Sequence, residues 1–179
     1  MKKIFNDDFF TNVFELQSEK FFLQIKNISN KKKPFIFVVR RCFFVVKKVA
    51  KVLKRKGYNT ILISMEEIKN VDDYKNSFNS IISNVNNYIY LKLILKQLTP
   101  SIIYVQAMMW DYFLAKYIYT NFKKTKLITE FYDITGIFAE SKNLKTLWSS
   151  EMVDGDLENE KYIFKNFDLI LSRFNNDII

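Results

Sequence analysis

Five short, mostly apolar runs recur along this chain of 179 residues, with segments of helical periodicity between them. The runs span residues 35–39, 60–65, 101–105, 126–132 and 169–172. Successive residues of a strand point to opposite faces of a sheet, so a strand that is apolar throughout is buried on both faces. Strands of this kind alternating with helices predict an α/β fold. Its sheet is open and mostly parallel, with helices on both faces and right-handed crossovers.

The segments between the runs predict where the helices lie. In residues 43–56 the apolar side chains share one side, and Gly57 is expected to end that helix. Helices are also predicted over 111–122 and 157–166. Residues 72–98 carry repeated apolar positions and few helix breakers, so we expect one or two helices there.

The first 33 residues are predicted to form a helical extension in front of the sheet. Their apolar side chains recur at the three-to-four spacing of one helix face, namely Phe10, Val13, Phe14, Phe21, Phe22 and Ile25. Pro34 follows three lysines and interrupts this pattern. Because the chain has the length of about one domain, we expect an extension over 1–33 and one α/β domain over 34–179.

Composition restricts the chemistry that the chain can perform. There is no histidine and one cysteine, Cys42, which excludes an internal disulfide, His-dependent triads and His/Cys zinc sites. Cys42 is expected to be an inert buried thiol. The turn after the first run lacks both G-x-G-x-x-G and G-x-x-x-x-G-K, which disfavours a dinucleotide dehydrogenase and a P-loop nucleotide hydrolase. We therefore expect neither a cofactor nor a metal ion.

The net charge of +9 is concentrated in one stretch, since residues 31–57 hold eleven Lys and Arg and no acidic residue. The predicted helix in this stretch carries Lys47, Lys48, Lys51, Lys54 and Arg55. These five side chains are candidates for contact with an anionic membrane, and an ordinary solvated helix face is the alternative. Nucleic acid is disfavoured as a partner because no nucleic-acid-binding motif accompanies the charge.

The N-terminal residues lack the features of a signal peptide, and no run of about 18 residues is apolar without charges. We therefore expect a cytoplasmic protein, with the basic helix as a means of peripheral contact with the inner face of the cell membrane.

Ligands of an open parallel sheet bind beyond the carboxyl ends of its strands, and this rule selects the candidate site residues. They are Arg40, Arg41 and Cys42 after the first run, Glu66 and Glu67 after the second, Gln106 to Trp110 after the third, Glu130, Tyr132, Asp133 and Gly136 after the fourth, and Arg173 after the fifth. Two adjacent arginines at a helix N-terminus suit a phosphate, and a solvated pair beside a strand is the alternative.

Asp133 is the candidate catalytic residue. An acidic residue directly after a buried strand, followed by a glycine-bearing loop, suits a general base near an acceptor hydroxyl. The alternative is that Asp133 caps the following turn or helix. Arg40, Arg41, Gln106, Tyr132 and Gly136 are the candidate substrate-binding residues.

Two other acidic features receive structural interpretations. Glu130 is expected to be a charge at the rim of the sheet. Asp154-Gly155-Asp156 spells a triplet that many sugar transferases use to hold a metal-bound sugar nucleotide, but it does not follow an apolar strand. We interpret the triplet as a solvated acidic lead-in to a helix.

The order of these segments resembles the N-terminal half of the GT-B glycosyltransferases, which transfer sugars from nucleotide donors to glycans or lipid-linked acceptors. The similar segments are GYNTILI at 57–63, TPSIIYV at 99–105, and the helix and strand over 160–172. The resemblance covers about residues 34–175. The sequence departs from the family at Arg40 and Arg41, where the family usually has glycines, and at Tyr132, where it often has histidine.

The resemblance implies a Rossmann-like domain on the acceptor side of a glycosyltransferase that makes a surface polysaccharide or glycolipid. Asp133 would lie near the acceptor hydroxyl, and Arg40 and Arg41 near a phosphate. The family holds its donor nucleotide mainly in a second domain, so a donor-binding domain or subunit is an implied partner, besides the nucleotide-sugar donor and the acceptor. A hypothesis from another class is a non-catalytic module that docks on anionic membrane or a partner subunit through its basic helix.

Overall fold

The computed structural model describes residues 32–41, 44–107, 111–131 and 150–172. Within these residues, six parallel strands form one sheet in the order β3-β2-β1-β4-β5-β6. The strands are Phe35–Val39 (β1), Thr60–Ser64 (β2), Ser80–Ile82 (β3), Ile102–Ala107 (β4), Lys126–Phe131 (β5) and Leu169–Ser172 (β6). The helices are Phe44–Arg55 (α1), Asp72–Lys75 (α2), Tyr88–Leu98 (α3), Tyr112–Asn121 (α4) and Ser150–Asn166 (α5). The order of strands is that of the Rossmann fold.

The predicted α/β fold with an open parallel sheet is confirmed. All five apolar runs form strands, with bounds within two residues of those predicted. The predicted helical extension over 1–33 falls almost wholly outside the described residues, and the proposed boundary at residue 34 stays a prediction. The chain forms two compact units, Met1–Ile103 and Tyr104–Ile179, and each is described by itself.

The core of the first unit is built on β1. All five of its residues are fully buried, which requires cover on both faces of the strand because successive side chains alternate. β1 pairs with β2 in parallel, with Phe35 opposite Thr60 and Val39 opposite Ser64. α1 then buries the apolar stripe expected from its period, including Val49 and Leu53.

Gly57 ends α1 as predicted. Its φ of +82° lies in the left-handed region that glycine adopts without strain. The Gly57 N–H donates to the Lys54 carbonyl oxygen at 3.0 Å, and the Tyr58 N–H donates to the Leu53 carbonyl oxygen at 3.0 Å. This pair of bonds is a Schellman motif, which satisfies the last carbonyls of the helix.

The helical interpretation of residues 72–98 was wrong in part. A short helix, α2, is followed by the edge strand β3, which pairs with β2, before α3 begins. Asn79 favours this break because its side-chain oxygen accepts from the Thr60 N–H at 3.0 Å. The left-handed φ of Asn84, +62°, also interrupts a helix, and Asn87 then caps α3 by accepting from the Ile89 N–H at 2.7 Å.

In the second unit, Asp168 ties the start of β6 to β5. Its carboxylate accepts from the Lys126 Nζ at 2.8 Å and from the Leu127 N–H at 2.8 Å. The hydrogen bond from Lys126 and the negative charge of Asp168 raise the pKa of that lysine. On α5, Tyr162 packs edge-on against Tyr119 of α4, with ring centroids 5.6 Å apart. α5 begins at Ser150, earlier than the predicted residue 157, so the acidic triplet lies inside the helix rather than in front of it.

Candidate functional site

A polar cleft of about 310 Å³ lies in the first unit where β1 and β2 end. Its lining residues come from the turn after β1, from the end of β2 and the loop that follows, and from α2. They are Arg41, Ser64, Glu66, Glu67, Ile68, Lys69, Asn70, Asp73 and Tyr74. The cleft is therefore at the edge of the sheet where parallel α/β folds bind ligands.

Backbone pairing beyond the strand ends holds one wall of the cleft in place. The Met65 N–H donates to the Val39 carbonyl oxygen at 2.8 Å, and the Glu66 N–H donates to the Arg40 carbonyl oxygen at 3.1 Å. The buried Ser64 hydroxyl lies 3.2 Å from that same Arg40 oxygen and 2.8 Å from the Glu66 carbonyl oxygen. These contacts fix the loop after β2 beside the turn after β1.

Arg41 and Glu66 form an ion pair across this wall, with the Arg41 Nε 2.6 Å from the Glu66 Oε2. The two side chains are 71% and 41% exposed, so water screens the pair and it adds little stability. Its effect is to orient a guanidinium and a carboxylate at the cleft. Arg40, the other predicted arginine, has an exposed side chain and does not line the cleft.

Basic residues of α1 support the opposite wall, which α2 provides. The Lys54 Nζ donates to the Lys75 carbonyl oxygen at 2.8 Å and to the Phe78 carbonyl oxygen at 2.9 Å. The Lys47 Nζ lies 4.9 Å from the centroid of the Tyr74 ring, within the range of a cation–π contact. Two lysines predicted to face a membrane therefore contact the protein itself.

The remaining members of that predicted surface differ in exposure. Lys48 and Lys51 are half-buried and Arg55 is exposed. Membrane contact by α1 stays a prediction. Among the described residues, no helix combines the length and the apolar character that crossing a bilayer requires.

Gln106 lies near the carboxyl end of β4 in the second unit, as predicted, and its side chain is fully buried. Neither the amide nitrogen nor the amide oxygen has a hydrogen-bond partner among the residues that the structure describes. A buried amide without partners costs free energy, and no hydrogen bond among the described residues offsets that cost here.

Glu130 was predicted to be a charge at the sheet rim, and that prediction was wrong. It is only 7% exposed and accepts a hydrogen bond from the Tyr104 hydroxyl on β4. The contact puts Tyr104 and Glu130 on the same face, and strand alternation adds Gln106 to that face of β4. The sequence signal for burial was present, because Glu130 falls inside a mostly apolar run.

A second buried carboxylate of this unit was missed altogether. Glu160 of α5 is 3% exposed and accepts from the Tyr112 hydroxyl of α4 at 2.7 Å. One turn earlier on the helix, partial burial and the negative charge of Glu160 raise the pKa of Asp156. Glu160 lies in a run of charged residues, which gave no indication that it faces the interior.

The other predicted site residues fall outside the described residues. These are Cys42, residues 108–110, Tyr132, Asp133, Gly136 and Arg173. The assignment of Asp133 as a general base stays a prediction. Sequence reasoning placed Arg41, Glu66 and Glu67 correctly at strand ends. It missed Asn70, Asp73 and Tyr74. Asp73 and Tyr74 were interpreted as part of the helical region over 72–98, and Asn70 lies in the loop before that region.

No protein-family model matches the chain, and no curated protein matches it. The enzyme WbmH of Bordetella bronchiseptica, solved in complex with NAD⁺, is a similar structure, at 11% sequence identity and a TM-score of 0.49 over 78% of this chain and 55% of WbmH. A mutant form of enoyl thioester reductase from Candida tropicalis is 13% identical, with a TM-score of 0.39 over 76% of this chain and 45% of the reductase. The chain thus spans about half the length of these two structures. By its own strand order the chain is a Rossmann-like α/β protein.

Proposed function

We propose that this chain is the acceptor-side domain of a glycosyltransferase and that its polar cleft binds the hydroxyl-rich part of a sugar substrate. The observation that carries the proposal is the lining of the cleft at the carboxyl ends of β1 and β2. Carboxylates, an amide, two cations and an aromatic ring lie around one space of about 310 Å³.

This set of side chains suits a neutral ligand with many hydroxyls. Glu66, Glu67 and Asp73 can each accept hydrogen bonds from hydroxyl groups, and the Asn70 amide can both donate and accept. The Tyr74 ring offers a flat apolar surface against which a sugar ring can pack. The three carboxylates outnumber the two cations of the same cleft, so the charge balance favours a neutral sugar over a polyanion.

The resemblance to the GT-B family supports the assignment to glycosyl transfer. In that chemistry an acceptor oxygen forms a bond to the anomeric carbon of the donor sugar, and the nucleotide leaves with the electron pair of the broken bond. We assign Asp133 to accept the proton of the acceptor hydroxyl. The donor nucleotide is assigned to a separate domain or subunit.

A nucleotide ligand is the second candidate, and one observation favours it. A carboxylate after the second strand of a Rossmann fold can bind the ribose hydroxyls of a dinucleotide, and Glu66 occupies a comparable place. Against this candidate, the turn after β1 carries Arg40 and Arg41 in place of the glycines that let a pyrophosphate approach the backbone.

The test is whether the whole chain binds neutral oligosaccharides, a nucleotide sugar or NAD⁺. Saturation-transfer NMR detects the binding, and calorimetry measures its affinity. We expect a neutral oligosaccharide to bind. Glu66→Gln should weaken that binding roughly tenfold and Asn70→Ala about threefold to tenfold, because each removes hydrogen bonds to the ligand.

The matched control is Glu158→Gln, which neutralises an exposed carboxylate of α5 in the other unit. It should leave sugar binding unchanged. Binding of NAD⁺ that is weakened by Glu66→Gln, with no binding of any sugar, would overturn the proposal in favour of the nucleotide candidate. Sugar binding that is insensitive to both cleft variants would overturn the assignment of the cleft.

A further inference from the structure

We propose that the solvent-facing side of α3 docks on an anionic lipid bilayer. The observation is that α3 has apolar side chains on two sides, one side buried in the protein and the other exposed to solvent. Ile89 is 68% exposed, Tyr90 64% and Leu93 57%, whereas Leu91 and Leu95 on the opposite side are fully buried.

The exposed apolar side chains form a continuous patch. Ile89 and Leu93 are four residues apart, so they lie one above the other at the centre of the solvent-facing side. Tyr90 flanks them. Single exposed apolar residues are common on protein surfaces, but a surface helix normally places polar residues along its whole solvent-facing side. Over its first two turns α3 is therefore apolar where a helix in contact with water alone would be polar.

Charge around the patch indicates an anionic partner. Lys92 and Lys96 are also four residues apart and lie beside the apolar pair on the same helix. No acidic residue occurs between residues 74 and 110. At the far end of the helix the Ser101 hydroxyl donates to the Lys33 carbonyl oxygen at 3.4 Å, which brings the exposed Lys32 and Lys33 close to that end.

A bilayer surface fits this combination of side chains. Apolar side chains enter the boundary between headgroups and acyl chains, a tyrosine ring suits that boundary, and lysines extend toward anionic headgroups. The acidic residues of the described part of this unit lie at 66, 67, 72 and 73, in and beside the polar cleft, and not on α3.

α1 is less suited to this contact, although it carries more charge. None of its described apolar side chains is among the exposed large ones, so it can supply attraction but no insertion. Lys47 and Lys54 also contact the protein itself. The inference thus assigns membrane contact to a different element from the one that the sequence indicated.

The experiment is co-sedimentation of the whole chain with vesicles of phosphatidylcholine and phosphatidylglycerol at 70:30, with pure phosphatidylcholine vesicles alongside. The double variant Ile89→Ser/Leu93→Ser should lower the partition coefficient at least about tenfold, since two side chains no longer insert. Lys92→Gln/Lys96→Gln should lower it about fivefold for each charge at low salt, and less at high salt.

Two controls separate this surface from other causes of binding. Phe113→Ser removes an apolar side chain that is 70% exposed on α4 of the other unit, and it should not change the partition coefficient. Lys48→Gln/Lys51→Gln lowers the charge of α1 and should have a smaller effect than the α3 serine variant. Circular dichroism of each variant checks that the fold is retained.

Three outcomes would overturn the inference. The first is absence of binding to the anionic vesicles, and the second is binding that survives the serine variant but is lost with the α1 variant. The third is a dimer, detected by sedimentation velocity, that the serine variant dissociates while vesicle binding is unchanged, which would make the α3 face a contact between copies of the chain. No sugar is present in this assay, so its result is independent of the proposed function.

Discussion

At the residue scale, the second unit buries polar side chains inside an apolar sheet and satisfies them unequally. Glu130 and Glu160 each accept a hydrogen bond from a tyrosine hydroxyl, so their burial is compensated. Gln106 has no such partner among the described residues. The position of Gln106 at a strand end could be predicted from the sequence, but the burial of its amide depends on tertiary contacts that no local pattern encodes.

The unpartnered amide makes a testable difference to stability. Gln106→Met keeps a similar volume and removes two buried polar atoms, so we expect the free energy of unfolding to rise by about 1–3 kcal/mol. Chemical denaturation of the whole chain measures it. If Gln106 contacts substrate, the same variant should lose substrate affinity while it gains stability. A loss of stability would show that the amide is bonded within the folded protein.

At the element scale, the strands and α1 could be predicted because their signals are local. An apolar run of five residues, and a 3.6-residue period that ends at Gly57, each suffice. The segment from α2 to α3 could not be predicted in this way, because Ile81 and Ile82 of β3 occur at spacings that also fit a helix. The cleft wall that α2 provides was missed for this reason, and with it Asp73 and Tyr74. Whether these residues form a strand or a helix is decided by the pairing of β3 with β2, which is a long-range contact.

Two glycines allow the same substitution to be compared in two elements. Neither Gly57 nor Gly155 has another atom within 4 Å of the place where a Cβ would be, so steric contact is not the issue at either position. Gly57→Ala forces alanine to a φ of +82° and should lower the free energy of unfolding by about 1 kcal/mol. Gly155 lies inside α5, where Gly155→Ala should raise it by about 0.5–1 kcal/mol through helix propensity.

Thermal and urea unfolding of the two glycine variants measure the difference, with each variant serving as the control for the other. Changes of the same sign in both would contradict the assigned backbone conformations. The Gly155 result also tests the start of α5, since no gain is expected if the acidic triplet lies in front of the helix.

At the scale of the whole molecule, the fold class followed from the alternation of apolar strands with helices, whereas the distribution of charge acquires meaning only with the fold. The residues of the first unit include nineteen Lys and Arg and eight Asp and Glu, and those of the second include nine and eleven. The sequence concentrates the positive excess in residues 31–57, and α1 carries five of the eleven basic side chains of that stretch. The fold shows that part of it supports the wall of a polar cleft, and that lysines of α3 lie beside an exposed apolar stripe. The two proposals therefore use different groups, the lining of the cleft in one case and the apolar stripe of α3 with its lysines in the other.

The order of strands predicts how resistance to opening is distributed through the molecule. β2 lies between β1 and β3 and all five of its residues are buried, whereas β3 is an edge strand with an exposed Ser80 and half-buried Ile81 and Ile82. Edge strands open locally, while strands inside the sheet exchange their amide hydrogens only on extensive unfolding. The amides of β3 should therefore exchange roughly a hundredfold faster than those of β2, after correction for intrinsic rates, a difference of about 3 kcal/mol in opening free energy.

The same argument applies to the second unit, where β5 lies between β4 and β6. We expect the amides of β5 to exchange more slowly than those of β6. Hydrogen exchange followed by NMR measures both differences. Equal protection of β2 and β3 would mean that β3 is covered by a further strand or segment, and the assignment of β3 as the edge of the sheet would be wrong.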